Sequence, residues 1–504
     1  MVKNILSRCQ MALLGIDVGT TNTKVLIYDE TGNRQAENSF PTPFYPDLFG
    51  GRYRPEEIFQ KLVDTIRMFP SDSKKEIVAL SISSFAEVMV GLDESMQPIT
   101  KSLVWYDSRT EPQFQEMKKV IDDSEVYART GISPQHKYSF YKMLWHRQNE
   151  KEIFDHVRHW TSMSGYLLGA LSGVLSCDYS LASRTMLFEQ QTGKWSDELV
   201  SLTGVSAETM PPLVPSGLVL GTIKKEVAQA TGLPEEVQVV TGGHDHLCAA
   251  LSVGVFHRGR VLISTGTTES LTMARDEAPK IELKSMERPF TWGHHTAYPA
   301  YYTMNGIYSG GYSVDWMLNI LGDSYPCFET LPFPRERKIP IFFPYLLGAD
   351  YEGARGAFVN LEGSMAREEL LQGVMASLCF EYKNVWDVMQ NALSITVDQI
   401  TNVGGGTHNQ YWMKMKATVL DHSLVVPRDR EGSSKGAALL AGIGSGVYTN
   451  PDDAFQKTFH IERIIEPVPE MKEFLQKWYR FYTVLREDIQ SLNQKMKRLM
   501  NDEE

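Results

Sequence analysis

The first thirty residues alternate between short apolar runs and one polar turn. Residues 13–16 read as a buried strand, and Val25, Ile27 and their neighbours as the strand returning. Between them lies Asp17-Val18-Gly19-Thr20-Thr21-Asn22-Thr23, dense in small residues and hydroxyls. The same pattern returns far downstream, where Ile263 leads through Ser264, Thr265, Gly266, Thr267 and Thr268 to Leu271. Two such hairpins, each opening about half of the chain, predict two similar halves facing one another across a cleft.

Between the hairpins the periodicity switches repeatedly from strand to helix. Residues 38–54, rich in Pro, Gly and aromatics, read as a long loop, and Pro55, Glu56 and Glu57 then open an amphipathic helix to about Phe69. Strands are expected at 77–83, 88–92, 102–105 and 238–241, and helices at 139–149, 161–172, 197–203, 224–231 and 247–253. In the second half, residues 367–393 predict a long helix with Leu370, Val374, Leu378 and Tyr382 on its inner face. A strand at 399–403, a helix at 410–421, a strand at 424–427 and helices at 433–446 and 470–499 follow. The pattern is that of layered α/β domains, and residues 1–10 read as a loose extension.

At 504 residues the chain exceeds a single core, so two large domains are expected. The formal charge of −12 argues against a general nucleic-acid binder and against anionic membrane surfaces. Five scattered cysteines without a CxxC fit reduced thiols in a cytoplasmic protein. No apolar run approaches the ~18–20 residues of a membrane helix.

Several residues offer chemistry within this frame. Gly19 lets the backbone approach a bulky anion, and Thr20 and Thr21 add hydroxyl donors; Gly266, Thr267 and Thr268 repeat the device. Each turn is also compatible with an ordinary hairpin. Asp17, at a strand end, is placed to hold a divalent cation through water, whereas Ser264 stands at the equivalent place in the second copy. Glu87, flanked by apolar strand positions, faces either water or a pocket. Trp105 can stack on a sugar ring beside Asp107 and Arg109, which can bond hydroxyls or simply pair before the helix near Glu111. Asp245 follows two glycines at a strand-to-helix junction; a helix cap and a His244–His246 metal pair are the other readings of that segment. Gly404, Gly405 and Gly406 at a strand end open a helix against which a nucleotide can lie. There is no Walker A sequence and no GxGxxG in the early βαβ region.

Taken together, these motifs resemble the FGGY carbohydrate kinases, in the superfamily of actin, hexokinase and the heat-shock chaperone ATPases, over about residues 11–485. Residues 15–29 and 261–271 resemble the two phosphate motifs, and Trp105 to Thr110 matches the W-x-D-x-R-T sugar segment. Gly242-Gly243-His244-Asp245 with Ala249-Ala250 resembles the motif of the catalytic aspartate. Residues 403–409, with Glu431 and Gly436-Ala437-Ala438, resemble the adenosine motif. The resemblance implies two actin-like (ribonuclease H-like) α/β domains with mixed five-stranded sheets, at 11–255 and 256–490, with ATP and sugar in the cleft between them. It implies ATP and Mg²⁺ as cofactors and a homodimer. Asp245 is expected as catalytic base, Asp17 at the metal, and Gly19, Thr20, Thr21, Lys24, Gly266, Thr267, Thr268, Gly404, Gly405, Gly406 and Asn409 around the nucleotide. Glu87, Trp105, Asp107, Arg109 and Asp245 are expected around the acceptor.

The departures fall on the acceptor side. Phe85-Ala86-Glu87 replaces the pattern of many xylulose and glycerol kinases; Glu87 keeps the glycerol-kinase glutamate, while Phe85 is nearer the fuculose-kinase pattern. The first family signature keeps Lys142 and Trp145 but breaks at His146, and the second has Asn360 and Ala376 where Gly and Glu are usual. The expected acceptor is a small ketose or polyol phosphorylated at a terminal hydroxyl, a xylulose-type pentulose first, with fuculose-, ribulose-, tetritol- or glycerol-like compounds as alternatives. The rival from another class is an actin-like or chaperone-like ATP-binding protein, which has no need of Trp105, Asp107 and Arg109.

Overall fold

A computed structural model describes residues 11–334, 338–351 and 353–501. The expected extension at residues 1–10 lies outside the described residues. Two mixed sheets dominate. In the first, β1 (Ala12–Val18) pairs antiparallel with β2 (Asn22–Asp29), and β2 with β3 (Arg34–Pro41). On its other side β1 pairs parallel with β4 (Ile77–Ser84), followed by β5 (Val219–Thr222) at the edge and β6 (Gln238–His244) between them, in the order β5-β6-β4-β1-β2-β3. The second sheet is built from β7 (Arg260–Thr265), β8 (Glu269–Arg275), β9 (Thr291–His294), β10 (Tyr301–Ile307), β11 (Gln399–Val403), β12 (Leu424–Pro427) and β13 (Ile461–Ile465). Its order is β9-β10-β8-β7-β11-β12-β13.

Stripped of edge strands, both sheets share one five-stranded plan. An antiparallel meander (β3-β2-β1, or β10-β8-β7) continues into two parallel strands (β4-β6, or β11-β12). The central strands read as continuous apolar runs because helices cover both faces. The described residues include no helix long and apolar enough to cross a membrane. Cys177, Cys248 and Cys379 are buried free thiols, and Cys327 is a half-buried one.

The two hairpins form as expected, but the region 38–54 is not one loop. It holds the end of β3 and two short strands, Phe44–Asp47 and Gly50–Tyr53. β3 escapes a hydrophobic reading because only Phe40 along it is buried. The strand expected at 238–241 runs on to His244, so Gly242 and Gly243 are strand residues, and the next helix starts at Asp245.

Helices α1 (Asp245–Ser252) and α2 (Gly432–Gly444) meet at the seam between the sheets and are exchanged across it. α2, which follows β12, packs its Ala438, Leu439 and Leu440 with Leu13, Leu26 and Val240 of the first sheet. α1, which follows β6, packs Ala249 and Ala250 with Leu262, Ala274 and Val403 of the second. Small residues make this possible: a methyl on Gly436 would lie 1.9 Å from the carbonyl oxygen of Cys248, and one on Gly15 2.0 Å from that of Ser434.

Candidate active site

Both hairpin turns and the start of α1 converge on the seam. In the first turn Gly19 N–H donates to Asn22 O (3.1 Å), and in the second Gly266 N–H donates to Thr268 O (3.1 Å). Asp17 stands one residue before the end of β1, and Ser264 at the same place in β7, so only the first hairpin presents a carboxylate. Ser83 Oγ donates to Asp17 Oδ1 at 2.8 Å. Burial, then the neighbouring Asp245 carboxylate, raises Asp17 from 3.8 to about 7, against the opposing pull of Ser83 and Lys24. Lys24 itself is closed on Glu431, at the start of α2, at 2.5 Å, so this expected nucleotide contact bridges the two halves.

Asp245 occupies the first position of α1, and no side chain caps that helix. Its Oδ1 accepts from the His246 N–H (2.7 Å) and lies 3.1 Å from His244 Nε2. Burial raises it to about 7, although the carboxyl keeps 23 % of its side-chain surface open. Burial holds His244 well below its ordinary value, so its ring is neutral. His246 Nδ1 meets Ser270 Oγ of β8 at 3.1 Å. The two imidazoles and the carboxylate offer ligand atoms within 4.8 Å of one another; the rings flank the carboxylate from one strand-to-helix corner, and His246 is taken up by Ser270.

On one side of this floor a cavity of about 650 Å³ is lined by Gly266, Thr267, Gly311, Gly405, Gly406 and Asn409, with Tyr325 and Phe328 as aromatic walls. Glycine is needed at Gly404 and Gly406. Gly404 has φ +94°, and a Cβ on it would stand 2.5 Å from Thr265 O. Asn409 caps the helix Gln410–Leu420 through Trp412 N–H (3.0 Å), leaving its buried Nδ2 without a partner among the described residues. A free amide beside a backbone cradle suits a nucleoside. Behind the second turn Lys416 and Glu269 form an ion pair with no exposed side-chain surface, and Lys416 Nζ also donates to Thr265 Oγ1 (2.9 Å).

On the other side a smaller pocket of about 190 Å³ is lined by Trp105, Lys137, Tyr138, Arg184, His246 and Ser270, among others. Trp105 Nε1 donates to Thr20 Oγ1 at 3.3 Å, which ties the indole to the first turn. Glu87 stands behind this pocket. Its Oε1 accepts from Arg184 Nε (2.8 Å) and Nη2, and its carbonyl accepts from the buried Lys142 Nζ at 2.7 Å. With φ 61°, Glu87 holds a left-handed conformation that costs on the order of 1–3 kcal/mol and that these contacts impose. Lys142, pushed down to about 7 by burial, is thus a strut for the acceptor site.

Not every expected residue reaches the pocket. Asp107 is fully buried and closed on Arg109, with Nε–Oδ1 at 2.7 Å and Nη2–Oδ2 at 2.9 Å, and Arg109 also holds Asp47 at 2.6 Å. The pair shapes the wall behind Trp105. Phe85 is likewise core, stacked on Tyr53 with ring centroids 4.6 Å apart. Conversely, Arg184 and Lys137 line the pocket without having been singled out from the sequence. Only the isolated arginine after Leu181-Ala182-Ser183 offered a local signal.

Comparison with known proteins agrees with this geometry. The chain matches the N-terminal domain of the FGGY family of carbohydrate kinases over residues 12–252 and its C-terminal domain over residues 261–445. It is 28% identical over 459 residues to a xylulose kinase of Bacillus subtilis, covering 88% of this chain and 90% of that one. A gluconokinase of the same organism is 26% identical over 455 residues, covering 86% and 88%. The crystal structure of a xyloylose kinase from Brucella ovis superposes with a TM-score of 0.88 at 23% identity, covering 95% of this chain and all of that one. Two hairpin turns, two carboxylates of the first half at the seam and two cavities beside them are therefore those of a phosphotransferase with an alcohol acceptor, and the chain belongs to the FGGY family of carbohydrate kinases.

Proposed function

We propose that this chain transfers the γ-phosphoryl group of ATP to a terminal hydroxyl of a small ketose or polyol, with Asp245 as the base. A sugar hydroxyl is a weak nucleophile at neutral pH, so a positioned carboxylate must take its proton as the new P–O bond forms. Asp245 opens α1 beside Asp17 of the first hairpin and next to His246, whose ring lines the smaller pocket, and that placement carries the reading. The oxygen left by the proton attacks the γ-phosphorus, the bond to the β-phosphate oxygen breaks, and ADP departs. Asp17, oriented by Ser83, would hold Mg²⁺ through water, and the ion would neutralise phosphate charge. The N–H and hydroxyl groups of Gly19, Thr20, Thr21, Gly266, Thr267 and Thr268 would bind phosphate oxygens, with Gly404, Gly405, Gly406 and Asn409 around adenosine. Trp105 would stack on the acceptor, Arg184 would be oriented toward it by Glu87, and Asp107 with Arg109 would support that wall.

The names of the relatives, xylulose kinase and gluconokinase, support a short polyhydroxylated acceptor, xylulose-type by the first of them. The test is ADP release with ATP and Mg²⁺ over pentuloses, hexuloses, tetritols, glycerol and sugar acids, with Asp245→Asn alongside. The reading requires a strong acceptor whose turnover vanishes in the variant while ATP still binds. A variant retaining most of its activity would remove Asp245 from this role.

A further inference from the structure

The charges around the smaller pocket cancel at every place but one. Arg184 is closed on Glu87, Asp350 on Arg288 and Arg486, and Glu269 on Lys416. Lys137 lines the same pocket, yet no carboxylate among the described residues lies within ion-pair distance of its ammonium. It stands instead 5.5 Å from the ring of Tyr138 and 5.7 Å from that of Tyr308. Burial pushes Lys137 down, but the negative groups that face it, the Glu87 carboxylate among them, hold it above its ordinary value, so it is charged at neutral pH. A half-buried ammonium in a pocket wall without a paired carboxylate is incompletely compensated. A protein that retains one beside its acceptor site has a use for an anion there.

We infer that Lys137 is a carboxylate-binding subsite, and that the preferred acceptor is a small polyhydroxy acid phosphorylated at the end away from its carboxylate. The inference rests on the kinase reading above and changes only its acceptor, from a neutral ketose or polyol to a polyhydroxy acid. A carboxylate supplies Lys137 with a full opposite charge and a charge-assisted hydrogen bond, where a sugar hydroxyl supplies only a dipole. Arg184 is not the unpaired cation, because its Nε and Nη2 donate to Glu87 and its Nη1 to Thr291 Oγ1 (2.9 Å), so its charge is already met and it offers the acceptor only its remaining N–H groups. Lys137 and Arg184 line the same pocket as His246, the neighbour of Asp245, so an acceptor bound there can present its anionic end to Lys137 and its other end toward Asp245.

Carbon-matched pairs decide the matter: aldonic acids of four, five and six carbons against the polyol and ketose of the same length, for wild type, Lys137→Met and Lys137→Arg. One acid should exceed its neutral partners at least ten-fold in kcat/KM. Lys137→Met should lower that acid-to-neutral ratio about 10- to 100-fold, or about 1.4–2.8 kcal/mol at 1.4 kcal/mol per tenfold, and Lys137→Arg should keep most of it. An equal loss on acid and neutral acceptors, with a raised KM for ATP, would assign Lys137 to the nucleotide phosphates and overturn the subsite. A neutral acceptor preferred by wild type overturns the inference and leaves the kinase reading standing; silence on every acceptor, with ATP still bound, overturns both. Thermal denaturation of wild type without nucleotide gives a second readout. The acid should raise Tm where its polyol does not, and equal effects of the two count against the subsite.

Discussion

Asp17 and Asp245 share one buried floor, and their proximity makes a prediction that opposes the usual effect of mutating a core residue. Burial raises both carboxyls from 3.8 to about 7, helped at Asp17 by the Asp245 carboxylate and at Asp245 by that of Glu87. A carboxyl raised in the folded state stabilises the protein fully below its unfolded value. That contribution is lost as pH climbs through the folded value, because ionising the group then works against the fold. At 1.36 kcal/mol per pH unit an isolated group with this gap is worth about 4 kcal/mol. Asp245 keeps 23 % of its side-chain surface open to solvent, which screens the penalty, so about 2 kcal/mol is expected at pH 8. Asp245→Asn keeps an oxygen to accept the His246 N–H and removes the charge. It should therefore raise Tm by about 2 °C at pH 8, at roughly 1 °C per kcal/mol for 504 residues unfolding together, while abolishing turnover. The gain should shrink toward pH 5, where the wild-type carboxyl is protonated. Differential scanning fluorimetry in EDTA, from pH 5 to 8.5 without nucleotide, measures this directly. A variant less stable than wild type at pH 8, or a difference that does not change with pH, would refute the argument.

Three further outcomes follow from other parts of the site. Asp17→Ala should raise the Mg²⁺ concentration needed for half-maximal turnover at least ten-fold, whereas a titration that overlays wild type means that the metal is held elsewhere. Lys416→Met strands Glu269 in a fully buried position and should cost about 3–5 kcal/mol in urea denaturation; adding Glu269→Gln should restore most of it, and failure to do so would show that the pair is not the cause. Gly404→Ala, at a φ of +94° and facing Thr265 O, should raise KM for ATP at least ten-fold with little change in KM for the acceptor. An unchanged KM for ATP would place the nucleotide away from this turn.

What could be read in the chain was local chemistry. The two Gly-Thr-Thr hairpins are legible because strand periodicity and turn residues lie within fifteen positions of each other, and the helix Arg367–Leu393 because its apolar stripe persists over its whole length. β3 was hidden because an edge strand has one polar face to water and here little on the other. Asp107 and Arg109 left two readings open, since residues two apart can either close on each other or reach outward, and only packing decides. Arg184 and Lys142 both serve Glu87, but from 97 and 55 residues away, so no window along the chain unites them. Lys137 has meaning only through the carboxylates that the fold withholds from it.

The exchange of α1 and α2 across the seam has a consequence for how the molecule can be divided. The boundary between residues 255 and 256 is a cut in the chain, but it is not a cut in the structure. A fragment ending there would lose Ala438, Leu439 and Leu440 from the first sheet and leave Leu13 and Val240 bare. Its partner fragment would lack Ala249 and Ala250 over Leu262. Each half completes the other, so the two fragments made separately should be insoluble, yet made together they should reassemble without a covalent link. The helices that complete the two halves also bring Asp245 and Glu431 to the cleft, so assembly of the active site and reconstitution of the fold are one event.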